Sequence, residues 1–331
     1  MELAFTCNSL YFPGLVLAVA SVLHTSRGLE CAGIHILNGG LTPQQRGRLE
    51  KMVGRDSRHI RLTFHDIDDG IFLGMRRYFG NTLTYCYLLL PELLSDRDEV
   101  LYLDVDLVFG ADLQEVWQID IGSNAVVAVQ DSLLRTLGHD CPWLAPGSPD
   151  ADKPYFNTGV MKLNLDYWRR HDVGATALKI AREEPDTYTY CDQTILNYLL
   201  QDAVYWLPER FNTQESREYP LAAECIHLNG RNIHYISARK PWRQHSSRTS
   251  FRLWRSRYAA LVSVWPDYML TWRYWLPFLG RECLEGRRMY IPLLRFLLGS
   301  GLYRLVPELS RSQVEEILRE TCEGHRHPIN C

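Results

Sequence analysis

Short apolar runs alternate with helical patterns over the first 130 residues, and that alternation leaves few folds open to the chain. Leu3-Ala4-Phe5-Thr6 reads as a buried strand, and residues 15–23 as the helix that follows. Gly33-Ile34-His35-Ile36-Leu37 is a second strand, after which Thr42 offers an N-cap and Pro43 the first helical position. Ile60-Arg61-Leu62-Thr63-Phe64 alternates with period two, residues 84–94 carry a helical pattern, and Val100-Leu101-Tyr102-Leu103 is a fourth strand. Such alternation implies a mostly parallel sheet covered on both faces, with ligands beyond the carboxyl ends of its strands. Further strands are expected at 125–129 and 159–163, and helices at 166–184 and 192–200.

The fourth strand runs into Asp104-Val105-Asp106. In an ideal strand, residues two apart share a face, so the two carboxylates can converge on one cation. Hard oxygen ligands of this kind suit Mg²⁺ or Mn²⁺. A phosphatase of the haloacid dehalogenase type also places D-x-D-x-[TV] after an apolar strand, and Asp104-Val105-Asp106-Leu107-Val108 fits that pattern. That reading also needs a later Lys and a second acidic cluster of the G-D-x-x-x-D kind, and it puts the D-x-D motif near a domain start. Neither cluster nor position is present, since three strands precede Asp104. A sugar-nucleotide site asks instead for a third metal ligand and a cation for the diphosphate. His234, between Ile233 and Tyr235, can supply a neutral imidazole, and Lys240-Pro241-Trp242 follows six residues later with an ammonium.

These blocks, with Tyr11, Tyr85 and Leu88-Leu89-Leu90-Pro91-Glu92, Tyr155-Phe156-Asn157-Thr158-Gly159, Asp192-Gln193-Thr194-Ile195-Leu196-Asn197 and Arg210-Phe211-Asn212, resemble glycosyltransferase family 8 in order and spacing. That family includes bacterial lipopolysaccharide galactosyl- and glucosyltransferases and glycogenin, and the resemblance spans residues 1–245. It implies an α/β, Rossmann-like GT-A fold. It also implies a Mn²⁺-bridged UDP-galactose or UDP-glucose donor, a carbohydrate acceptor of the lipopolysaccharide or cell-surface glycan kind, and transfer with retention to an α-glycosidic bond. Carried across block by block, Asp104, Asp106 and His234 stand as metal ligands. Asp104 and Val105 also touch the donor, Gln193 and Asp192 stand at the anomeric carbon, and Asn157 and Asp131 stand around the hexose. Lys240 meets the diphosphate, while Asn8 and Tyr11 meet the base. The chain departs from the family at Asn8, where an acidic residue is usual, and at Leu10, Tyr87 and Ser237, where Asn, Arg and Gly are usual. Tyr87 thus replaces an Arg that faces the diphosphate, which keeps a catalytically weakened sugar-nucleotide-binding protein as an alternative.

Composition agrees with an enzyme of this kind. A net charge of -3, and no basic helix interleaved with stacking aromatics in the first two-thirds of the chain, argue against nucleic acid. No apolar run approaches the roughly 20 residues that span a bilayer, and the N-terminus has no signal-peptide pattern. Nine scattered cysteines without a C-x-x-C pair fit reduced thiols and a cytoplasmic setting. From Gln244 onward, however, 13 Arg stand against 8 acidic residues, interleaved with aromatics. Residues 246–331 are therefore expected as a separate helical extension. It either packs on the sheet or lies on an anionic membrane surface, which would make the protein peripheral on the inner face of the membrane. Cys322, His325, His327 and Cys331 sit too tightly spaced in a polar tail to be read as a zinc site.

Overall fold

The structure is a computed structural model, which describes residues 1–141, 143–216, 228, 230–238 and 240–242, with Phe251, Leu253, Trp254, Arg257, Tyr258 and Leu261 beyond them. The zinc quartet and most of the 246–331 extension lie outside the described residues.

Strand β1 (Glu2–Cys7) leads through α1 (Phe12–Thr25) to β2 (Gly33–Asn38), and α2 (Pro43–Val53) leads on to β3 (Arg61–Asp66). Thr42 and Gln45 close a reciprocal capping box at the start of α2, as a Thr-Pro-x-Gln sequence favours. A 3₁₀ turn over Leu83–Leu89 and the short α3 (Leu90–Leu93) bring the chain to β4 (Glu99–Leu103). Next come β5 (Leu107–Val108), α4 (Gln114–Trp117), β6 (Val126–Gln130) and β7 (Phe156–Asn164). Helices α5 (Leu165–Arg170), α6 (Val173–Glu183) and α7 (Asp192–Leu200) precede β8 (Val204–Trp206), β9 (Thr213–Glu215) and β10 (Ile233–Tyr235).

Seven strands form one sheet in the order β3-β2-β1-β4-β7-β6-β8. Only β7 runs antiparallel to its neighbours β4 and β6, so the sheet is mixed but mostly parallel. Strands β1 and β4 send alternate side chains to two cores. Leu3, Phe5, Leu101 and Leu103 pack with α1 and α2, while Ala4, Val100 and Tyr102 pack with α3, α5, α6 and α7. Burial on both faces explains why these strands read as unbroken apolar runs. Phe251, Leu253, Trp254 and Tyr258 join the first core beside Trp242, so the described part of the extension is packed against the domain.

Two expected helices differ. Residues 84–94 split because Pro91 has no N–H and its ring would clash with the carbonyl one turn back. The chain runs as a 3₁₀ turn up to that point and restarts as α3 with the proline in its first turn. Residues 166–184 split at Asp172, which adopts a left-handed conformation (φ 48°). The new helix can then press onto the 83–89 turn, where a Cβ on Gly174 would lie 2.3 Å from the Leu88 carbonyl oxygen.

The chain fills the sheet from β1 outward to β3, then returns to place β4 on the other side of β1. A crevice opens beyond the carboxyl ends of β1 and β4 at such a reversal. Because β7 runs antiparallel, its amino-terminal residues reach the same edge: Leu103 pairs with Val160, and the Asp104 N–H donates to the Gly159 carbonyl at 2.9 Å. A second sheet, β5-β10-β9, closes the far side.

Candidate active site

The residues expected to bind metal or donor or to act in transfer line one pocket at that edge: Asn8, Tyr11, Tyr87, Asp104, Val105, Asp106, Asp131, Asn157, Asp192, Gln193, His234 and Lys240. Leu10 does not line it and is exposed.

The acidic pair meets differently from the expectation. Strand β4 ends at Leu103, and Asp104, Val105 and Asp106 belong to the turn before β5 rather than to one face of a strand. Val105 is buried, which fixes the turn. His234 arrives from β10, whose register sets it opposite Leu107 and whose Tyr235 N–H donates to the Asp106 carbonyl at 3.0 Å. The imidazole Nε2 lies 3.1 Å from an Asp106 oxygen and 3.5 Å from an Asp104 oxygen. One ligand atom from each residue falls within 4.8 Å of the others. A ring nitrogen and two carboxylates pointed at one another need a cation or a proton between them, and their donor set fits a divalent ion that accepts oxygen and imidazole.

The electrostatics divide the pair. Burial, followed by the Asp106 charge, pushes Asp104 up to about 6, although the Tyr102 hydroxyl donates to it at 3.0 Å. Burial also acts on Asp106, but the Lys240 ammonium and then His234 outweigh it and hold this carboxyl well below the usual range. Lys240 donates to Asp106 and, at 2.7 Å, to the Tyr235 carbonyl. The ammonium is thus tied to the Asp104–Asp106–His234 cluster as well as lining the pocket.

A second group lies alongside. Asn157 donates to Asp131 at 2.9 Å, and the Gln193 amide donates to the same carboxylate oxygen at 3.2 Å. The Gln193 carbonyl accepts from the Thr158 N–H at 3.0 Å. The other Asp131 oxygen accepts the N–H groups of Leu133 and Leu134 at 2.8 and 2.9 Å. Asp192 opens α7 without capping it. Its oxygens accept hydroxyls from Thr84 and, at 2.6 Å, from Tyr87. Burial is the main force that raises its pKa to about 7. The Tyr87 ring is buried against Tyr102, with centroids 4.6 Å apart. Asn8 turns its side-chain oxygen to the N–H groups of Leu10 and Tyr11, at 3.0 and 3.2 Å, which shapes the entry to α1.

Several pocket residues had no signal of their own in the sequence. Thr84 lines the pocket from the 3₁₀ turn, Thr158 from the start of β7, and Tyr78, Phe79 and Tyr190 from irregular segments. Asn212 stood only as the last residue of a three-residue block, yet its carbonyl lies 2.9 Å from His234 Nδ1. Gly159 stood in another block, and a Cβ there would lie 2.1 Å from His234 Cε1.

Sheet order, reversed β7 and a pocket at the switch point together define the GT-A fold. The chain is similar to a galactosyltransferase, LgtC, solved with donor and acceptor sugar analogs. The TM-score is 0.65 at 26% identity, over 79% of this chain and 96% of that one. A second LgtC structure, carrying a glutamine-to-glutamate exchange in its active site, matches 81% of this chain at 25% identity and a TM-score of 0.65. The family model for glycosyl transferase family 8 matches residues 2–246, and the chain belongs to that family. Among curated relatives, the glycosyltransferase GlyF of Streptococcus pneumoniae is 26% identical over 76% of this chain. The lipopolysaccharide 1,2-glucosyltransferase of Escherichia coli is 23% identical over 81% of this chain and 79% of its own length. The chain spans 60% of the length of GlyF. Among the described residues, no helix is long and apolar enough to cross a membrane.

Proposed function

We propose that the chain transfers galactose or glucose from a UDP-sugar to a glycan or glycolipid acceptor of the lipopolysaccharide kind, with retention, in a Mn²⁺- or Mg²⁺-dependent reaction. The observation that carries this reading is the adjacency of the Asp104–Asp106–His234 cluster to the Asn157–Asp131–Gln193 network in one pocket. The lipopolysaccharide glycosyltransferases among its relatives supply the acceptor class. A peripheral membrane contact would belong to the basic extension.

Asp104, Asp106 and His234 would hold the cation, which when bound offsets charge developing on the leaving diphosphate. Lys240 adds a positive charge on the same side while keeping Asp106 ionised. Asn8 and Tyr11 would receive the base. Tyr87 would offer the donor less than an Arg, because its hydroxyl is spent on Asp192.

Retention requires a nucleophile beneath the anomeric carbon or attack on the leaving-group face. Gln193 is a poor nucleophile, and its carbonyl is already the acceptor of the Thr158 N–H. Asp131, the carboxylate an inverting reaction could use as a base, accepts four hydrogen bonds. Those bonds engage both carboxylate oxygens, two on each, so neither oxygen is turned toward an acceptor hydroxyl. The arrangement therefore favours same-face attack, with the departing phosphate accepting the acceptor's proton. Gln193 and Asp192 orient the hexose and stabilise the oxocarbenium-like state. The active-site glutamine exchanged in LgtC is in keeping with that role for Gln193. Gln193→Ala should slow transfer by a factor of about 10–1,000, less than the loss of an obligatory nucleophile. Proton NMR of the product's anomeric coupling tests the stereochemistry. An α-linked product is expected, and a β-linked one would overturn the mechanism.

A further inference from the structure

We infer that Asn212 is the positioning residue that fixes the tautomer of His234, and that the backbone of β7 sets its orientation. The inference deepens the metal-dependent reading above and rests on it for the choice of ion.

A backbone N–H only donates, and the Gly159 N–H lies 3.0 Å from Asn157 Oδ1, so that atom is the amide oxygen. The amide nitrogen of Asn157 then faces Asp131, an acceptor, at 2.9 Å, and both ends agree. With its oxygen assigned, Asn157 Oδ1 must accept the second contact it makes, at 2.8 Å, so the group opposite is the Asn212 NH₂. The other end of Asn212 is therefore its carbonyl oxygen. It lies 2.9 Å from His234 Nδ1, which can satisfy it only by donating a proton. In the neutral ring that assignment leaves Nε2 with its lone pair, aimed at the gap between Asp104 and Asp106.

The chain of donors is buried throughout. Asn212 and His234 are 0% and 3% exposed, so bulk water does not reach their contact. Asn212 leaves the 3₁₀ turn at Glu209–Phe211 with φ -152°, outside the left-handed region, so the backbone alone does not demand this side chain. A polar side chain placed there, with both of its ends matched, is accounted for by the ring it orients. Partners that hold a metal-binding imidazole in one tautomer commonly contribute about 10–100-fold to metal affinity.

Two measurements test this. Long-range ¹H–¹⁵N NMR of the histidine-labelled, metal-free protein at mildly alkaline pH should show His234 protonated at Nδ1 alone, and the Nε2–H form would overturn the inference. Titration with Mn²⁺ alone, followed by calorimetry, should show Asn212→Ala weaker by about 10–100-fold. Transfer by that variant should recover in excess Mn²⁺, with the metal requirement raised more than kcat is lowered. Asn212→Ser, which keeps one hydroxyl near the ring, should fall between the two and stands in if the alanine variant does not fold. A folded variant with unchanged Mn²⁺ affinity would contradict the role. If the wild-type protein binds Mn²⁺ as expected but transfers no sugar, the proposed function fails and this assignment stands.

Discussion

A Cβ at position 159 would meet the His234 ring at 2.1 Å from Cε1 and 2.5 Å from Nδ1. Position 159 has ordinary strand backbone, so alanine is otherwise acceptable there, and the collision falls first on the His234 ring and then on Asn157 Oδ1 at 3.0 Å. Gly159→Ala should cost about 1–3 kcal/mol of stability as an overpacked site. It should also weaken Mn²⁺ by about 10-fold or more, the order seen when a ligand's support is disturbed. Calorimetric titration checks it, and unchanged affinity would mean that His234 does not bind the ion. Asp192 gives a second residue-scale prediction. Its folded pKa of about 7 lies above the ordinary 3.8, mainly through burial. The folded state thus holds this proton more tightly than the unfolded state. The stability this confers is complete below about 4 and lost as pH rises through about 7. Asp192→Asn removes that loss. In the metal-free protein the variant's Tm, relative to wild type, should rise between those limits. A flat difference would show that Asp192 is ionised throughout, and transfer should fall in either case.

At the scale of elements, the start of α7 carries strain that the site uses. Cys191 adopts φ 53° and ψ -123°, a region nearly reserved for glycine, immediately before Asp192. Glycine is usually less stable than alanine by about 0.5–1 kcal/mol within regular structure. Here Cys191→Gly should equal or exceed Cys191→Ala in Tm, because only glycine relieves the backbone. The reverse order would contradict the strain. Elements also show where the sequence can and cannot be read. The strands at the sheet centre and the start of α2 were legible because apolar runs and a Thr-Pro cap state their physics locally. The 83–94 segment was misread because the leucine pattern outweighed Pro91. The break at Asp172 was invisible because it answers to the approach of Gly174 to Leu88, a contact between distant parts of the chain. Asp104 and Asp106 were rightly paired for a reason that did not hold, since they converge through a turn and not a strand face.

Across the whole molecule, one reversal of strand order and one reversed strand bring seven segments to a single pocket. The residues that offer ligands or charge could be picked out one block at a time. The residues that aim them, Asn212, Gly159 and Thr158, could not, because their significance lies in partners between 22 and 75 positions away along the chain. The central claim is that this pocket moves a sugar with help from a divalent ion. Release of UDP from a panel of UDP-hexoses, measured with Mn²⁺ and with excess EDTA, tests it most directly. The account predicts release from UDP-galactose or UDP-glucose that requires Mn²⁺, rises with a glycan acceptor and is lost in EDTA. Full activity in EDTA, or no release from any donor by the folded, Mn²⁺-bound protein, would contradict it.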